Sequence, residues 1–162
     1  MKIILVFKTH FDIGFTDLAS NVIDQYAGSM LEQVIETCKG TQKLGKRHFV
    51  WTMPAWPLWH IVNHSEPKLR KELDELIENG QVVWHALPFT SHTDFATPGE
   101  YLRGFTYSRL LAERYHKPFP IAAKMTDVPG HTKAMIPHLA ENGIEFLHIG
   151  VNPASAVPDV PE

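Results

Sequence analysis

The sequence predicts an α/β fold: a parallel (β/α) barrel-like domain, of which the N-terminal part, about five βα strands, is present. Three observations predict it. Short apolar runs bounded by turn residues recur along the chain. Segments with helical periodicity separate most of them. His and Asp residues fall just after the runs, where such folds carry their chemistry.

Lys2 to Phe7 is a continuous apolar run, the pattern of a strand covered on both faces. Thr16 or Asp17 can cap the helix that follows. Its stripe is Leu18, Val22, Tyr26, Met30 and Val34, with Ile23, Leu31 and Ile35 beside it. Gly40 to Lys46 is a turn-rich break, and His48 to Thr52 reads as the second strand. Pro54 and Pro57 punctuate an aromatic segment from Trp51 to Trp59. Ser65 reads as an N-cap, with Pro67 in the first turn of a helix whose apolar positions are Leu69, Leu73, Leu76 and Ile77. Asn79-Gly80 stops it. Gln81 to Ala86 is the third strand. Thr97-Pro98-Gly99-Glu100 has capping-box spacing and opens a helix to about Tyr115. Ile121 to Met125 is the fourth strand. Thr132 to Asn142 is a helix with Gly143 at its C′ position, and Phe146 to Val151 is the fifth strand. Asn152 to Glu162 reads as irregular.

Composition narrows the function. The 162 residues carry a formal charge of -3, with 44% hydrophobic and 20% charged residues. That balance disfavours a nucleic-acid partner, which needs excess Lys and Arg. No apolar run approaches the roughly 20 residues of a membrane span. Met1 to Phe7 is too short for a signal peptide and lacks a small-residue cleavage site, so localisation stays open. Cys38 is the single cysteine, read as an inert, buried thiol. Ten histidines with almost no cysteine fit a metal site of imidazole and carboxylate.

The strand ends carry the candidates. After the first strand stands His10-Phe11-Asp12. In extended backbone, residues i and i+2 point the same way, so this imidazole and carboxylate face one point and suit a divalent cation. The alternative is a structural hydrogen bond. After the second strand, Trp51, Trp56 and Trp59 offer faces for a sugar, or core. After the third come His85, then His92 and Asp94, spaced like His10 and Asp12. After the fourth stands Asp127-Val128-Pro129-Gly130-His131. A carboxylate just past a buried strand suits a cation, or it caps the next helix. Gly130 lets the backbone pass close to a ligand. His131 reads as a donor that orients Asp127.

These motifs resemble the N-terminal catalytic domain of glycoside hydrolase family 38, the zinc-dependent α-mannosidases. The first strand of that family ends in H-x-D-x-G-W, and Thr9-His10-Phe11-Asp12-Ile13-Gly14-Phe15 stands there. The fourth ends in D-x-x-G-H-S, and Asp127-Val128-Pro129-Gly130-His131-Thr132 stands there. Glu78-Asn79-Gly80, the helix from Thr97 and Asn142 to Phe146 also sit where the family has similar elements. The resemblance implies that His10 and Asp12 bind zinc. It implies that Asp127 is both zinc ligand and catalytic nucleophile in retaining hydrolysis of an α-glycoside. Phe15 takes the place of the family's tryptophan, so Phe15, Trp56, His85 and His92 form the expected substrate-binding set. His85 to His92 replaces the family's glycine-rich acidic loop, the mark of a divergent branch. The family's remaining zinc ligand and its acid/base carboxylate are expected beyond Glu162. Residues 1–162 then form the N-terminal portion of a longer catalytic domain, inactive alone, with an exposed apolar face or self-association expected. Two other readings stay open. One is a metal-dependent polysaccharide deacetylase-like hydrolase with Asp127 as ligand or base. The other is a non-catalytic carbohydrate-binding derivative.

Overall fold

A computed structural model describes residues 1, 3, 5–45, 48–153 and 155. Parts of the expected first strand, of the Gly40 to Lys46 break and of the C-terminal tail lie outside the described residues. The described chain has five strands, β1 (Phe7–Lys8), β2 (Trp51–Met53), β3 (Val82–Trp84), β4 (Ala122–Val128) and β5 (Phe146–Val151). Every ladder among them is parallel. Seven α-helices intervene: α1 (Ala19–Gln25), α2 (Leu31–Thr41), α3 (Ala55–His64), α4 (Pro67–Glu78), α5 (Pro98–Arg103), α6 (Phe105–Arg114) and α7 (Met135–Glu141). The chain divides into two compact units where the sequence suggests one. The first is Met1–Met53 with Pro57–Trp84, and the second is Pro54–Trp56 with His85–Glu162. Neither sheet closes into a barrel among the described residues.

In the first unit the sheet order is β1-β2-β3. Phe7 pairs with Trp51, and Trp51 with Val82. β1 is shorter than its apolar run. Ile3, Leu5 and Val6 are exposed, at 71%, 77% and 67%, so this run is not covered on both faces. Among the described residues β1 pairs with β2 alone, which leaves it an edge strand.

The helical stripe after β1 is present but shifts in phase. A π-helical turn, Tyr26–Met30, separates α1 from α2. It inserts an extra residue per turn, so burial runs Val22, Tyr26, Leu31, Val34, Ile35, Cys38 and skips Met30. Leu18 is the N-cap and stays exposed. Burial pushes the Cys38 thiol up to about 11, so it is not a thiolate at neutral pH. The aromatic segment around Trp56 is helical, because Pro57 falls in the first turn of α3 where no N–H is needed. Ser65 closes α3, its hydroxyl donating to Ile61 O at 2.7 Å, and Glu66 caps α4.

In the second unit β4 pairs with β5. The Thr97–Glu100 capping box forms as predicted. The helix it opens breaks at Gly104, where an added Cβ would lie 2.9 Å from Pro88 Cγ. The helix expected from Thr132 starts at Met135, which keeps Pro137 in the first turn. The core is Ala86, Leu87, Phe105, Ala123, Met125, Met135, Leu139 and Ile144.

Met125 pairs with Ile149 and Val128 with Val151, so Thr126 and Asp127 together face Gly150. This is a β-bulge. It needs glycine on the partner strand, because a Cβ on Gly150 would sit 2.8 Å from Thr126 Cγ2. Gly150→Ala should cost about 1–3 kcal/mol by overpacking, read by chemical denaturation. Adding Thr126→Ser, which removes that methyl group, should restore most of the loss. An unchanged loss in the double variant would mean the methyl contact is not the cause.

Candidate active site

The first unit carries the H-x-D motif on the loop after β1. Thr9 N donates to Thr52 O at 3.2 Å, and Trp51 Nε1 donates to Thr9 Oγ1 at 2.6 Å. Tyr26 OH donates to His10 O at 2.9 Å, and Phe11 packs edge-on against the Tyr26 ring at 4.9 Å. Burial, and then the nearby Asp12, raise the Tyr26 hydroxyl's pKa and keep it a donor. So anchored, the loop turns both side chains to one side: His10 Nε2 lies 3.1 Å from Asp12 Oδ1. Both remain partly open to solvent, at 32% and 46% exposure. Gly14, at φ 77, then reverses the backbone in a conformation that disfavours other residues. His10 also lines an open hollow of about 390 Å³ with Tyr26, Phe49 and Trp51.

This pair suits a divalent cation. Two ligands held about 2.0–2.1 Å from zinc at a tetrahedral angle lie roughly 3.3 Å apart. The observed 3.1 Å is close to that edge, and it is equally the length of the structural hydrogen bond that the motif allows. Within each unit, among the described residues, no three His, Cys, Asp or Glu side chains gather as a cation site. The first unit therefore offers two donors.

The second unit carries Asp127 on the bulge. Alternation along β4 buries Ala123 and Met125, and an unbroken strand would turn Asp127 inward with them. The extra residue reverses the phase. Val128 goes inward and Asp127 comes out to solvent. The backbone at Asp127 turns left-handed, φ 61, a conformation that Asp, like Asn, adopts more readily than most side chains. Asn152 Nδ2 donates to Asp127 Oδ1 at 3.0 Å. Asp127 does not cap the next helix, whose N-cap is Ala134.

The orienting role expected of His131 is not what the structure has. Both ring nitrogens are buried without a hydrogen-bond partner among the described residues. The chain leaves the bulge toward Thr93, whose Oγ1 accepts from Thr132 N at 2.9 Å, and this carries His131 toward His92 and Asp94. Burial lowers the His131 pKa, Asp94 opposes that, and His92 adds to it. Asn152 reaches Asp127, and nothing in the sequence singled it out. At Gly130 an added Cβ would lie 3.4 Å from Asp94 Oδ2, an ordinary contact, so the fold alone does not require glycine there.

The expected substrate residues fall in different settings. Phe15 is 86% exposed on the loop after β1. His92 is exposed, its ring 5.9 Å from Phe95. Trp56 is half-buried and meets Phe89 edge-on at 6.3 Å. It lines a cavity of about 310 Å³ with residues of α5 and α6. Sequence reasoning passed over those partners, although Glu100, Arg103 and Tyr107 recur at one-face helical spacing. His85 lies beneath the surface, 6% exposed, so a direct substrate contact does not follow from its position at the strand end.

His85 Nδ1 accepts from Leu87 N at 3.3 Å, which assigns the proton of the neutral ring to Nε2. Burial, with a smaller push from the Lys124 ammonium, lowers its pKa from 6.5 to about 3. Between those values the unfolded chain binds a proton that the folded chain does not. Stability should therefore be whole above pH 6.5 and fall, by about 1.4 kcal/mol per pH unit, as pH drops through that window. Denaturation between pH 4 and 7 measures the slope, and His85→Gln should flatten it. An equal slope in the variant would assign it elsewhere.

No family model matches the sequence, and no curated protein matches it. Among solved structures, the 4-alpha-glucanotransferase of Thermococcus litoralis is similar over 88% of this chain, with a TM-score of 0.57 and 16% identity. The likeness is one of fold. The chain spans 22% of that protein's length.

Proposed function

We propose that the protein is a carbohydrate-active enzyme that hydrolyses an α-glycoside with retention, using a divalent cation such as zinc. The observation that carries the reading is the bulge at Asp127. The bulge lifts a carboxylate out of the strand core on a left-handed backbone, and bulges that re-aim a side chain are over-represented next to active sites. The fold shared with a glucanotransferase supports a carbohydrate substrate, and the two strand-end motifs support the α-mannosidase-like form. His10 and Asp12 serve as cation ligands, and Asp127 as nucleophile and further ligand. The cation would supply positive charge to sugar hydroxyls and help distort the ring.

Asp127 would carry the nucleophilic step. An Asp127 oxygen attacks the anomeric carbon as the glycosidic C–O bond breaks. The leaving oxygen takes a proton from an acid group, and water then cleaves the glycosyl ester. Asn152 holds the other face of the carboxylate and fixes its rotamer. Phe15, Trp56 and His92 are the proposed sugar contacts, and His85 supports the wall from below.

The test is turnover of aryl α-mannosides by the full-length protein, with chelator and with added zinc, and trapping with a 2-deoxy-2-fluoro glycosyl fluoride. Zinc-dependent turnover with label on Asp127 is expected. Zinc-dependent deacetylation of an N-acetylated amino sugar without labelling would replace this reading with the deacetylase-like one.

A further inference from the structure

We infer that the cavity walled by Trp56, Phe89 and the α5–α6 face is a subsite for one neutral pyranose ring. The inference rests on the carbohydrate reading above and narrows its substrate to sugars without a charged substituent.

The cavity is prebuilt. Backbone bonds from Ala55 N to Leu87 O and from Trp56 N to Pro88 O, both at 3.0 Å, fix the segment that carries Trp56. Phe89 meets Trp56 edge-on at 6.3 Å with an interplanar angle of 82°. Opposite them, Tyr101 packs edge-on against fully buried Phe105 at 5.8 Å. Gly104 lets the helix approach Pro88 more closely than any side chain would permit. At about 310 Å³ the space is at the small end of ligand sites, which run roughly 300–1,000 Å³, so it suits one ring rather than a chain.

Its chemistry is that of a sugar site. Aromatic faces suit the apolar C–H face of a pyranose. The rim supplies groups for hydroxyls. Arg103 lines it, and its guanidinium is unpaired among the described residues. Glu100 lines it too, with Oε2 spent on Thr97 N and Thr97 Oγ1, both at 2.8 Å, leaving Oε1 to accept. One positive and one negative group at the rim offset each other. With one cation and one anion in the lining the cavity is formally neutral, which suits an uncharged ligand, and vicinal hydroxyls can donate to Glu100 and accept from Arg103.

The experiment is ¹⁹F NMR of the full-length protein labelled with 5-fluorotryptophan, the Trp56 resonance being assigned with Trp56→Phe. The probes are methyl α-D-mannopyranoside, methyl α-D-glucopyranoside, glucuronate and N-acetylphenylalanine amide. A saturable shift of the Trp56 resonance with a neutral glycoside is expected. Arg103→Ala, an exposed change that leaves the core intact, should weaken it about tenfold. No saturable shift with either glycoside, unaltered affinity in Arg103→Ala, tighter binding of glucuronate, or tighter binding of the phenylalanine amide would each overturn the inference. Failure of the trapping experiment with sugar binding intact would overturn the hydrolase reading alone. Label on Asp127 without a Trp56 shift would overturn this subsite alone.

Discussion

Asp127→Asn should lower turnover of an aryl α-glycoside in the full-length protein by several orders of magnitude, with no loss of fold. Asn tolerates the left-handed backbone that position 127 adopts at φ 61, and it keeps the shape of the side chain. What it loses is charge. An amide cannot form the glycosyl ester and holds a cation weakly, so nucleophile and ligand disappear together. Asp12→Asn should act chiefly through cation affinity, because Asp12 pairs with His10 at 3.1 Å on a solvent-open loop. Excess zinc should restore much of Asp12→Asn activity and little of Asp127→Asn activity. Equal rescue would reduce Asp127 to a ligand, and full activity in Asp127→Asn would remove it from the chemistry. Asp127→Gly adds a control. It should not raise thermal stability, since Asp tolerates this φ, glycine adds unfolded-state entropy and the Asn152 bond is lost, while activity is lost.

Phe105→Ala should cost about 3–5 kcal/mol of stability, the range for removing a large buried ring. Phe105 is fully buried at the first position of α6. It meets Tyr101 edge-on at 5.8 Å and Phe119 at 6.1 Å. The Arg109 guanidinium lies 6.0 Å from its ring and 5.5 Å from that of Phe119. Alanine would leave a void between α6 and β4, and Tyr101 would lose its backing. Chemical denaturation should show a clearly lower midpoint, and Phe105→Leu, which keeps most of the volume, a smaller loss. A change under about 1 kcal/mol for alanine would show that the site collapses and that the wall does not depend on this ring.

The parallel strands were legible because apolar runs and turn residues are local signals, and the observed ladders use Phe7, Trp51, Val82, Ala122 and Phe146 close to where those runs lie. The capping box at Thr97 and the stop at Asn79-Gly80 were legible for the same reason. The convergence of His10 and Asp12 followed from the two-residue period of extended backbone, and their 3.1 Å contact agrees. The phase of the helix after β1 was not legible. A π turn is a local insertion that leaves no mark on apolar spacing, and it exchanged Met30 for Leu31 at the buried position.

By itself, then, the sequence indicated most element types, the short apolar runs that become strands and the buried thiol at Cys38, because each leaves a local signal. Tertiary structure decided the environment of each. It lifted Asp127 out of the core through a bulge that depends on Gly150, more than twenty residues on. It sank His85 into a setting where burial keeps the ring neutral. It gave Asp127 an asparagine partner in place of His131. It set Trp56 across a cavity from a helix face that sequence spacing alone did not connect to it. Exposure, desolvation and cross-strand contact are properties of groups far apart in sequence, so they become defined when the chain has folded.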